Sequence, residues 1–363
     1  MRDLSSRGHA VHVVLPPYDN RAHSGRRYRD GGVTVENVVL PRFTSFCSHL
    51  LLAARLLCAV LAYRADMVHL FKPKGYGGIV CQLLLALPRW FRPRVVVDSD
   101  DWEGDGGWND LVAYPPTWLR LFNWQERFLL SHADAVTVAS RELERRVRQL
   151  RDTSVVRVPN GADVPLALSS PPPGAPHLLL FSRLYDMNPN VVIPVLERLL
   201  EAEPRLRITI AGGALHGERP VWSNLLCKTP FAHRVVVVDW IPPEHLPALF
   251  ASAHVALVAL DDTFLNRCRC SAKVAALLAA GVPVVATSVG ENTLYIRGGH
   301  DGLLVCPDDV IGLTTTTLRL LHDRRYAQML GRSARDRMAT VFTWSRLAGE
   351  VESLYLACYP FAD

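Results

Sequence analysis

Short β-branched runs separated by longer helical stretches occur in two successive series along this chain, and three consecutive prolines stand between the series. The first series has strand-like runs at 10–15 (AVHVVL), 67–71 (MVHLF), 94–98 (RVVVD), 135–139 (AVTVA) and 155–158 (VVRV), with helical patterns at 48–63, 77–89, 116–131 and 140–150. Strands that alternate with helices form a parallel sheet covered on both faces. The segment SSPPPGAP (169–176) can continue neither a helix nor a central strand. The alternation then restarts, with strands at 178–182, 206–211, 235–239, 255–260 and 284–287 and helices at 190–201, 243–251 and 271–280. Three helical patterns, 311–321, 324–341 and 344–359, close the chain. The expected fold class is α/β, with two doubly wound Rossmann-like domains. Their expected bounds are residues 1–165, a linker at 166–176, residues 177–340, and a closing segment at 341–363. At about 150 residues per domain, the length suits two.

The opening is unusual. RDLSSRG (2–8) has the character of a helix tail and leads straight into a strand. A complete βαβ unit takes roughly 30 residues, so the first strand of domain 1 is expected to be missing from the sheet. A neighbouring strand would then present an open edge, which invites association and poor solubility.

Composition excludes other classes. Hydrophobic residues make up 49% and charged residues 21%, which is ordinary globular usage. The net charge of +5 suits an anionic small molecule or an acidic membrane surface and does not specify nucleic acid. The eight cysteines contain no CxxC pair and read as reduced thiols. The N-terminus lacks the apolar core of a signal peptide. The apolar stretch 50–62 contains Arg55 and is shorter than the ~20 residues of a spanning helix. With Arg42 nearby it suggests an interfacial helix, hence a cytoplasmic protein with peripheral contact at the inner face of an anionic membrane.

In open parallel sheets ligands bind beyond the carboxyl ends of the strands. No G-x-G-x-x-G, Walker loop or G-x-S-x-G elbow follows any strand. The most informative segment is DDTFLNRCRCSAKVAALLAAGVPVVA (261–286). Ser271 stands where a helix should start and Gly281 where it should stop. Arg267, Arg269 and Lys273 crowd that N-terminus, where cations are unfavourable unless an anion such as a diphosphate is bound. The alternative is a solvated basic turn.

The second segment is DSDDWEGDGGWND (98–110), four carboxylates followed by glycines. Asp98 and Asp100 could hold a divalent ion, or the segment could be a structural acidic turn. Trp102 and Trp108 could stack on a ligand ring or simply pack, and packing is the commoner role. His69, followed by Lys72 and Lys74, could receive an anionic acceptor or be a satisfied strand histidine. His254 reads as structural.

At this point the chain resembles a known family. LLAAGVPVVAT (277–287), TSVGENTLYI (287–296) and GGHDGLLVCPDD (298–309) are similar to the donor domain of retaining glycosyltransferases of the GT-B fold, family four. RGHAVHVVLPP (7–17), ADAVTVASREL (133–143), VVRVPNGAD (155–163), FSRL (181–184) and VFTWSRL (341–347) match other family segments in the same order. The resemblance covers nearly the whole chain. It implies an acceptor-side first domain and a donor domain at 177–340, with a cleft between them and a last helix that crosses back. It implies transfer of a sugar from a nucleotide-diphosphate sugar to a carbohydrate or lipid-linked acceptor, with retention of configuration and no metal or other cofactor.

By that resemblance, Arg183, Arg267, Arg269, Ser271 and Lys273 are the expected diphosphate ligands, and Gly290, Glu291 and Asn292 line the donor sugar. His69, Lys72 and Trp102 face the acceptor, with Asp100 or Asp101 where the family carries a catalytic histidine. The chain also departs from the family. The usual Glu-x7-Glu pair is replaced by Cys268 and Ala276, although NRCRCSAK (266–273) resembles a subgroup pattern. No lysine follows Arg183 in YDMNPN (185–190). A catalytically degenerate relative that binds a nucleotide or a partner is therefore the rival reading, and a nucleotide-sugar epimerase of the same fold a third.

Overall fold

The computed structural model describes residues 1–42, 46–152, 154–165, 171–214 and 217–359. The chain divides into two compact units, Met1–Pro159 with Trp344–Asp363, and Asn160–Thr343. Part of the expected linker, 166–170, lies outside the described residues.

The first unit contains β1 (His12–Leu15), β2 (Arg27–Asp30), β3 (Val33–Asn37), β4 (Met67–Phe71), β5 (Arg94–Ser99), β6 (Ala135–Val138) and β7 (Val155–Arg157). β4-β5-β6-β7 is a parallel sheet, and β1-β3-β2 is a separate sheet in which β2 runs antiparallel to β3. Sequence reading overlooked the β2–β3 hairpin. Its turn is Gly31–Gly32, with φ of +54° and +86°, the left-handed pair that a two-residue hairpin turn requires.

β1 and β4 are edge strands of their two sheets. The same helices nevertheless connect them. Helix Phe46–Ala62 packs on both β1 and helix Gly75–Leu85, which covers β4. Helix Arg2–Ser6 packs on helix Trp344–Ala357, whose Tyr355 is bonded to His69 of β4. The strand interiors show the cost of the open edges. Val95, Val96 and Val97 of β5 are fully buried, whereas every residue of β4 keeps some exposure.

The closing helix is tied to the first unit by charge and by packing. Glu352 accepts from Arg7 at 2.8 Å and pairs with His9 at 2.7 Å, while Leu354 and Cys358 pack with Val96 and Ala135.

The second unit holds β8 (His177–Phe181), β9 (Arg207–Ala211), β10 (Val235–Val238), β11 (Val255–Val258), β12 (Val284–Thr287) and β13 (Leu303–Val305). They form one parallel sheet of order β10-β9-β8-β11-β12-β13. The order reverses between β8 and β11, so the loops after these two strands diverge and leave a crevice at their carboxyl ends. Leu178, Leu180, Ile210, Val255 and Leu257 are buried under helices Pro189–Ala202 and Val310–His322. Among the described residues no helix is long and apolar enough to cross a membrane.

Candidate functional site

The carboxyl ends of β8, β11 and β12 bring together most of the residues expected around a donor. The loop after β8 carries Ser182, Arg183 and a short turn ending at Asp186, which is only 2% exposed. Its carboxylate accepts from Arg269, and from Ser182 Oγ at 3.2 Å. Its carbonyl accepts from Asn266 Nδ2 at 3.1 Å. Asp186 and Asn266 therefore anchor the loop before helix Ala272–Ala279. Neither was singled out in the sequence, where the search of YDMNPN was for a lysine and passed over its aspartate.

Ser271 caps helix Ala272–Ala279, its hydroxyl accepting from the Val274 amide. Lys273 occupies the first turn with its ammonium 5.1 Å from the Phe181 ring centre. Burial pushes the Lys273 ammonium down to about 8; Asp186 opposes that shift, and Arg183 and Arg269 add to it. Three cations thus surround one carboxylate, an arrangement that favours an added anion at a helix N-terminus.

One expectation needs correction. The three basic residues of 267–273 are not all uncompensated. Arg267 is half exposed and pairs with Asp262 at 2.8 Å, and Arg269 is held by Asp186. Asp262 stands five positions before Arg267, whereas Asp186 comes from the loop after β8, which the linear sequence does not place beside Arg269.

Glu291 and Asn292, with Val289, line the same recess as Asp186, Asn266, Arg269 and Ser271, and Gly290 lies in the loop between them. Gly290 has φ of +52°, and a Cβ there would lie 2.5 Å from the Asn266 carbonyl oxygen, so only glycine lets this loop approach. Glu291 and Asn292 are buried, and Asn292 Nδ2 donates to the Thr287 carbonyl at 3.0 Å. Cys268 is fully buried.

The first unit gathers the acidic segment after β5 around two lysines. Lys72, at φ +64°, lies 3.0 Å from Glu103, 3.9 Å from Asp101 and 4.0 Å from Asp100. Lys74 pairs with Glu103 and donates to Asn109 Oδ1 at 3.0 Å. Glu126 accepts from the Glu103 amide at 2.9 Å, and burial raises its carboxyl to about 7. Burial likewise raises Asp98 to about 7, opposed by a hydrogen bond from Thr137. Among the described residues no group of three or more His, Cys, Asp or Glu side chains is placed to hold a metal ion.

Two residues expected on the acceptor side are engaged internally. His69 contacts Tyr355 Oη at 2.6 Å through Nδ1 and Thr137 Oγ1 at 3.3 Å through Nε2, and burial lowers it to about 4. Both ring nitrogens are thereby occupied. Trp102 is 5% exposed, donates to the Asp105 carbonyl at 3.0 Å and lies under Arg146. It packs, as most tryptophans do. Lys72, Asp100 and Asp101 remain partly exposed.

Comparison with known proteins decides the family. Residues 1–161 match the glycosyl transferase 4-like domain and residues 175–323 match glycosyl transferases group 1. The chain belongs to the group 1 glycosyltransferases. It is 28% identical over 308 residues to a glycogen synthase of Mycobacterium tuberculosis, covering 82% of this chain and 70% of that protein. It is 30% identical over 171 residues to a D-inositol 3-phosphate glycosyltransferase of Corynebacterium diphtheriae, covering 46% of this chain and 39% of that one.

Among solved structures, sucrose-phosphate synthase from Thermosynechococcus elongatus aligns with a TM-score of 0.74 at 21% identity, over 99% of this chain and 91% of its own. HepE of Anabaena, crystallised with UDP and glucose, aligns with a TM-score of 0.67 at 16% identity, over 95% and 99%. These likenesses show the GT-B fold. Each unit of this glycosyltransferase-family chain is thus one Rossmann-like half of that fold.

Proposed function

We propose that the protein transfers a sugar from a nucleotide-diphosphate sugar to a carbohydrate or lipid-linked acceptor with retention of configuration. The observation that carries this reading is Lys273. It is a partly buried ammonium at a capped helix N-terminus, flanked by Arg183 and Arg269 and facing one buried carboxylate. Lys273, Arg183 and the first amides of helix Ala272–Ala279 would hold the donor diphosphate. Arg269 would act through Asp186, positioning the loop. Gly290, Glu291 and Asn292 would border the sugar. Negative charge grows on the leaving diphosphate as the glycosidic bond breaks, and fixed cations and amides stabilise it most at that stage. Family resemblance supports front-face attack, in which the leaving phosphate helps take the acceptor proton, without a metal. Asp100, Asp101 and Lys72 would meet the acceptor hydroxyl. UDP in the HepE structure supports a uridine nucleotide as the first donor to try. Exposed Leu50, Leu51 and Leu61 support peripheral contact of helix Phe46–Ala62 with a bilayer.

A second reading is favoured by one observation. Where family members carry a pair of glutamates, this chain has a fully buried Cys268 and Ala276, neither of which can touch donor hydroxyls as a carboxylate would. A binding protein without transfer activity would follow. Assay of sugar transfer to glycan and lipid-linked acceptors, beside calorimetric titration with nucleoside diphosphates, separates the two. Binding with transfer supports the enzyme, binding without transfer supports the degenerate relative, and no binding removes both.

A further inference from the structure

At the opposite end of the second unit's sheet, a cavity of about 50 Å³ opens beside the amino ends of β11 and β12. His254, Pro283, Leu320, Leu321, Arg324 and Gln328 line it. His254 immediately precedes β11 and is 7% exposed. Its Nδ1 accepts the His177 amide at 3.2 Å, so in the neutral ring the proton sits on Nε2. That Nε2 is buried and has no hydrogen-bond partner among the described residues. Buried polar groups are nearly always satisfied, and an exception at a cavity wall is met by an ordered water or by a ligand.

The second polar group is Arg324, at the start of helix Arg324–Val341, which lines the same cavity and also donates to the Gly174 carbonyl at 3.4 Å. Both groups are donors. Gln328 adds a neutral amide, and Leu320, Leu321 and Pro283 form an apolar part of the wall. At roughly 10–15 Å³ per water, the cavity holds a few waters or a small organic group.

We propose that this cavity binds a small aliphatic carboxylate. One oxygen accepts from His254 Nε2–H and the other from Arg324, while a short apolar body lies against Leu320, Leu321 and Pro283. Two donors match the two oxygens of a carboxylate. A phosphate would bring further charged oxygens against leucine and proline, where nothing solvates them. The site is separate from the proposed donor residues, which follow the carboxyl ends of the same strands.

The test follows the His254 imidazole signals by NMR while the whole protein is titrated with butyrate, acetate or inorganic phosphate. Butyrate is expected to shift the Nε2 resonance saturably, acetate more weakly, and phosphate not at all. Arg324→Ala, a change at an exposed side chain, is expected to weaken butyrate binding by about tenfold. Leu320→Ala is expected to reduce the preference for butyrate over acetate. A resonance that stays fixed with butyrate overturns the proposal. So does equal response to phosphate, or an Arg324→Ala protein that titrates like its parent.

Discussion

Arg269 and Asp186 form an ion pair with 14% and 3% of their side chains exposed. Asp186 also holds Ser182 and, through its carbonyl, Asn266. The pair therefore fastens the loop after β8 to the segment that launches helix Ala272–Ala279. In the proposed donor site a guanidinium engaged in this way would position the loop, and Lys273 would be the cation that meets a phosphate.

Breaking that pair should be felt first in stability. Removing one partner of a buried pair costs about 3–5 kcal/mol where the other charge is left alone. Lys273 stays near Asp186, so Arg269→Ala should lower the unfolding free energy by less than that range. Urea denaturation checks it, and an unchanged midpoint would mean that Asp186 finds another partner.

Lys273 and Arg267 should differ. Lys273→Ala removes a cation that forms no ion pair among the described residues. It should weaken nucleoside diphosphate binding by about tenfold or more, since a charge-assisted hydrogen bond contributes roughly 1.5–3 kcal/mol. Arg267→Ala should change affinity little, because its guanidinium is already paired with Asp262 at the surface. Calorimetric titration of both variants tests the contrast, and equal losses would contradict it.

The same lysine predicts a pH dependence. The free protein's Lys273 titrates at about 8. A bound diphosphate favours the ammonium and raises that value, so binding above pH 8 should take up a proton, and affinity should fall as pH rises through 8. For stability the sign is opposite. The unfolded chain holds the proton more tightly, so this group's contribution to stability rises with pH between about 8 and the ordinary lysine value of 10.5. Calorimetry in buffers of different ionisation enthalpy measures the uptake, and a buffer-independent heat would exclude it.

Asp98 makes a prediction in the first unit. Its folded-state value, about 7, lies above the unfolded 3.8, so the native state binds the extra proton. Stability from this group is full below pH 3.8 and is lost as pH rises through 7. Asp98→Asn keeps an acceptor for Thr137 and should make unfolding less sensitive to pH over that window, with a more stable protein at pH 8. Denaturation curves of parent and variant at several pH values decide it.

The edge strands should differ in local opening. β4 is partly exposed throughout and has one unpaired edge, whereas β5 lies between β4 and β6. Amides of Met67–Phe71 should exchange with solvent faster than those of Val95–Val97. Hydrogen-exchange mass spectrometry tests this, and equal protection would show that the β4 edge is covered.

The sequence alone determined the strand–helix alternation. It placed β4 and β12 at their observed residues, and put Ser271 at a helix start, because periodicity and capping are local properties of neighbouring side chains. Motif order along the chain was enough to indicate the family, since most matching segments contain a strand and the residues that flank it. The Gly31–Gly32 hairpin was overlooked, because its strands are short and β2 is exposed and polar, without the apolar run that marks a buried strand. Tertiary structure decided the rest. Arg269 meets Asp186 across 83 positions of sequence, and His69 meets Tyr355 across 286. Trp102 is packed rather than presented, and His254, at the wall of a cavity, keeps one buried ring nitrogen without a partner among the described residues. Charge partners and burial depend on which distant loops return to the same strand end, and only the folded chain fixes those neighbours.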